Sequence, residues 1–96
     1  MVSDKREFVR LDVGYFDNPK VADALEASSE AVLLHIASML YARQHRTDGV
    51  IVVRRLLRKV GAEQEDAKLL FHLGLWHDLG DGKAELHDYL DHQESA

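Results

Sequence analysis

The chain has 96 residues, 46% of them apolar and 30% charged, and a net charge of −5, which fits one globular domain, residues 1–96, around one core. The absence of cysteine excludes disulfides and thiolate metal sites and suits the cytoplasm. No apolar run approaches the roughly 18 residues of a membrane span, and the charged stretch Met1 to Glu7 lacks the apolar core of a signal peptide, so a cytoplasmic protein with no membrane partner is expected.

Phe8 to Val13 alternates apolar and polar for much of its length and predicts a short strand. Asn18-Pro19 supplies a helix N-cap and a proline at the first helical position, so a short helix begins there, with Val21, Ala24 and Leu25 as its apolar face. Ser28 or Ser29 caps the next helix, about Glu30 to His45, and Glu30 complements the helix dipole in its first turn. Leu33, Ile36, Ala37 and Leu40 recur at i, i+3, i+4 and i+7, widened by Val32 and Met39, which predicts the central core helix with that stripe turned inward. His35, midway along it, is expected to be partly buried. Thr47-Asp48-Gly49 is a turn signal, and Val50-Ile51-Val52 a short β segment pairing with the N-terminal strand or with a later hairpin.

Val53, Leu56, Leu57 and Val60 again fall at i, i+3, i+4 and i+7, and Gly61 suits the helix end. The following helix, Glu63 to Leu73, turns Ala67, Leu70, Phe71 and Leu73 inward and ends at Gly74. Leu75 to Leu79 and Ala84 to Leu90 flank the turn Gly80-Asp81-Gly82-Lys83, whose glycines can take the positive φ of a tight hairpin. Trp76 is expected in the core, where the hairpin returns onto the helices. The predicted fold class is α+β, mainly α: a winged helix-turn-helix in the order strand, two helices, strand, two helices, wing.

Charge is unevenly spread along the chain. Residues 1–30 carry four Lys/Arg against seven Asp/Glu, residues 31–60 six against one, and residues 61–96 two against nine. For binding a polyanion the local field matters more than the net charge. Arg54, Arg55, Arg58 and Lys59 share the polar face of their helix and are candidates to neutralise phosphates, Arg bidentately. The same face would equally suit a solvated helix balanced by the acids of residues 61–66. Arg43, Arg46 and Lys83 are marginal phosphate candidates. The N-terminal end of the second helix of a helix-turn-helix usually meets the bases. Gln64, Lys68 and His72, at i, i+4 and i+8, would be its base-contacting residues, and Gln can read adenine. Glu63, Glu65 and Asp66 at the start of that helix oppose such docking, although acids in a first turn also complement the dipole.

Six histidines raise the question of a metal. His72 and His77 are five apart, as are His87 and His92, which is not the i, i+4 spacing that puts two ligands on one helical face. No metal and no cofactor are therefore expected. Nor is an enzyme: there is no cysteine nucleophile, no glycine-rich phosphate loop and no serine in a strained strand-turn-helix setting. Homodimerisation remains open, with no leftover apolar stripe forecasting it.

The run Phe16-Asp17-Asn18-Pro19-Lys20-Val21, the helix end Leu40-Tyr41-Ala42-Arg43 before Thr47-Asp48-Gly49-Val50-Ile51, Leu73-Gly74-Leu75-Trp76, and Leu86 to Gln93 form a recognisable set. Over about residues 7–93 this set resembles the N-terminal winged-helix domain of phage replication-initiation or replisome-organiser proteins, especially those of actinobacterial phages. The resemblance implies a phage gene product acting on DNA in the bacterial cytoplasm, in replication initiation or gene regulation. The alternative reading is a winged-helix interaction module that binds a host or phage protein through its acidic surface and does not bind DNA.

Overall fold

In a computed structural model, which describes Leu11 and residues 13–87, a 3₁₀ turn at Tyr15–Asp17 leads into helix α1, Pro19–Ala27. The strand expected at Phe8 to Val13 lies outside the described residues except for Leu11 and Val13, and neither of these is in a strand. Asn18 caps α1 as its sequence predicts, its side chain accepting from the Lys20 N–H at 2.8 Å. Ser28 then ends α1 and caps α2, Ser29–His45, accepting from the Ala31 N–H. Strand β1, Val50–Val52, runs directly into α3, Val53–Val60. A three-residue turn separates it from α4, Gln64–Leu73, and the chain finishes in the hairpin β2, Trp76–Gly80, and β3, Lys83–Leu86.

The described residues thus form a small α+β fold, mainly helical, with four α-helices and one three-stranded antiparallel sheet of order β1-β3-β2. Val50-Ile51-Val52 pairs with the hairpin, Ile51 opposite Ala84. Asp81 and Gly82 form the two-residue hairpin loop with φ of 54° and 74°; positive φ at both central positions gives a turn whose twist matches the strands. The Gly82 carbonyl accepts from the Val53 N–H at 2.9 Å, so the hairpin turn occupies one of the unpaired N–H groups at the start of α3.

The core gathers Val21 and Ala24 of α1, Ala31 and Leu34 of α2, Leu56 of α3, Leu70 of α4, and Ile51, Trp76, Ala84 and Leu86 of the sheet. Trp76 is 1% exposed, donates from Nε1 to Ser38 Oγ at 3.1 Å and meets Phe71 edge-on. Ser38 in turn donates to the His35 carbonyl. The His35 ring stacks on Tyr15 and joins the phenol through Nδ1 at 2.6 Å.

Two expected faces are corrected. Leu25 is exposed, leaving Val21 and Ala24 as the buried positions of α1. On α2 the inward face is Ala31, Val32, Leu34, His35, Ser38 and Ala42. Leu33 and Leu40 are 50% and 53% exposed, and Ile36 and Ala37 are half-buried. Leu33 and Leu40 of the expected stripe therefore face outward, while Val32 is buried and Ile36, Ala37 and Met39 pack against the core from its side. The physical reason is polar satisfaction. Burying His35 and Ser38 is costly unless each finds a partner, and Tyr15 and Trp76 supply them. The small side chains of Ala31, Ser38 and Ala42 then leave room for the neighbouring elements.

Candidate nucleic-acid interface

Helix α3 is short and sharply two-sided. Val53, Leu56 and Leu57 are buried and Val60 half-buried, which drives the intervening residues outward. Gly61 ends the helix at φ 72°, its N–H bonded to the Leu57 carbonyl; a side chain at that position would strain the backbone. Arg54, Arg55, Arg58 and Lys59 are all exposed and together line one surface depression. None of the four side chains has a hydrogen bond or ion pair among the described residues. Within those residues, no acid of 61–66 forms an ion pair with the face. Four cations around one concavity, none engaged by a carboxylate among the described residues, create a local positive field suited to an anion with several charges.

The remaining phosphate candidates are scattered. Lys83 is exposed on β3, opposite Val52, so the sheet brings its backbone beside the first turn of α3. Arg43 is half-buried near the end of α2, its Nε enclosed and without a hydrogen-bond partner among the described residues. Arg46 is exposed and ends α2 in the left-handed conformation, φ 53°. None of these three lines the basic depression.

Helix α4 buries Asp66, Ala67 and Leu70 and exposes Gln64, Lys68 and His72 along its outer side. Sequence reasoning set Asp66 among three acids facing a groove. It is instead 8% exposed, accepting from Ser28 Oγ at 2.6 Å through Oδ1 and from the Glu63 N–H at 2.9 Å through Oδ2. Asp66 thus joins the start of α4 to the junction of α1 and α2, leaving Glu63 and Glu65 as the exposed acids of that turn. A carboxylate accepting from Ser28, thirty-eight residues away, had no signal in the local sequence.

The chain matches no family model, no curated protein and no solved structure. Among the described residues no helix is long and apolar enough to cross a membrane.

Proposed function

We propose that this fold is a winged helix-turn-helix that binds duplex DNA, with the basic face of α3 on the phosphates and α4 presented to the groove. Two features support the fold reading. The order from α2 to β3 is helix, strand, helix, turn, helix, hairpin, and in the sheet the second hairpin strand lies between β1 and the first. The observation that carries the DNA reading is the depression lined by Arg54, Arg55, Arg58 and Lys59, with no competing acid among the described residues. Phosphate contacts fix register and base contacts give sequence preference. In this reading Gln64, Lys68 and His72 would read bases, and Lys83, Arg43 and Arg46 would support the backbone contact. The resemblance to phage replication-initiation domains supports a setting in replication initiation or regulation in a bacterial cytoplasm.

The test is fluorescence anisotropy with a mixed-sequence duplex at about 50 mM salt. Reversing both Arg55 and Arg58 to Glu should weaken binding by about 100-fold, from two lost charge-assisted contacts of about 1.5 kcal/mol each. Circular dichroism should be unchanged, because both side chains are exposed. Unaltered affinity would overturn the basic-face reading. No binding by the wild-type chain would favour a protein partner for the acidic surface.

A further inference from the structure

The hairpin brings together two histidines that no helical spacing would pair. His77 lies on β2, and His87 follows β3, its N–H bonded to the Leu75 carbonyl at 3.0 Å. Trp76 opposite Leu86 and His77 opposite Glu85 set the register. Trp76 and Leu86 are buried, so His77, Glu85 and His87 share the opposite, exposed face. On that face His77 and His87 are diagonal neighbours, within reach of each other's rings. His77 Nε2 and His87 Nδ1 share a hydrogen bond at 2.9 Å and the rings stand at 68°, so an ion bound by both nitrogens takes the place of the shared proton.

That separation has a meaning in coordination chemistry. Two imidazole nitrogens each about 2.0–2.1 Å from one ion are about 2.9 Å apart when they subtend a right angle, and about 3.3 Å apart at the tetrahedral angle. Right angles belong to the tetragonal geometries of Cu²⁺ and Ni²⁺, the tetrahedral angle to Zn²⁺. We propose that His77 and His87 chelate one divalent first-row ion across the wing, with Cu²⁺ or Ni²⁺ preferred to Zn²⁺. Among the described residues no group of three potential ligands exists, so the two imidazoles are the protein ligands assigned to the ion. The ion joins β2 to the residue after β3 and adds positive charge to a hairpin whose exposed acids include Asp78, Asp81 and Glu85. The site stands independently of the DNA reading.

The test is isothermal titration of the untagged full chain with Cu²⁺, Ni²⁺ and Zn²⁺ salts in turn. The expected result is one Cu²⁺ per chain, with Zn²⁺ bound at least about ten-fold more weakly, in the order of the divalent series. H77A and H87A should each weaken Cu²⁺ binding by about 100-fold, the loss of a linked second ligand. H45A, in α2, should not change it. Because both rings are exposed, the variants should retain the wild-type circular dichroism. Electron paramagnetic resonance of the Cu²⁺ complex gives a second readout and should show two coordinating imidazole nitrogens. No binding, tighter Zn²⁺ than Cu²⁺, wild-type affinity in both variants, or a spectrum with fewer than two such nitrogens would each overturn the proposal.

Discussion

Three polar side chains on core-facing surfaces, His35, Ser38 and Asp66, each meet a partner from a distant part of the chain. Such groups are costly unpaired and specify one arrangement when paired. Burial pushes the His35 imidazole down to about 4, and the Tyr15 phenol up to about 12. His35 therefore stays neutral in the folded protein where the unfolded chain already binds a proton, below about 6.5. Stability should fall as pH drops from about 6.5 to about 4 and then level off, a loss of roughly 3 kcal/mol from this residue. Urea unfolding of wild type and His35→Gln at pH 7, 5.5 and 4 checks this. The variant should lose less stability than wild type across that range, and equal losses would sink the assignment.

At the scale of elements, legibility depended on local signals. The Asn18-Pro19 start of α1, the Ser28 cap, Gly61 and Gly74 after α3 and α4, and the Asp81-Gly82 turn all act through their own backbone and a few neighbours. The boundaries of α1 to α4 were therefore close to expectation. The face of α2 was not legible, because apolar residues lie on most of its sides. Reading polar residues as outward favours Leu33 and Leu40, whereas pairing of His35 and Ser38 favours Leu34. The two registers predict opposite costs. Leu34→Ala, at a fully buried site, should cost about 2–5 kcal/mol. Leu33→Ala, half exposed, should cost less than about 1 kcal/mol. Chemical denaturation of the two variants would sink the observed register if those costs were reversed.

For the molecule as a whole, net charge is a poor guide to what the surface can attract. The chain is acidic, yet the exposed face of α3 is uniformly cationic. Four phosphate contacts would make the logarithm of affinity fall with the logarithm of salt at a slope of roughly −3.6. Affinity for a duplex should then drop about 100-fold between roughly 50 and 200 mM salt. A slope near −1 would mean that one cation carries the contact and that the depression is not the interface. The exposure of Leu33 and Leu40 belongs to the same scale, since only the assembled fold shows which side of α2 the core leaves open.

The sequence by itself determined the helices and their ends, the tight hairpin, and the basic side of α3. Each follows from propensity, capping, turn chemistry or the helical period, which act over a few residues. Only the tertiary structure decided which side of α2 is buried, that Asp66 turns away from solvent to Ser28, and that His77 and His87 meet across the hairpin. Those outcomes depend on hydrogen bonds and packing between residues ten to thirty-eight positions apart, and local periodicity carries no record of such partners.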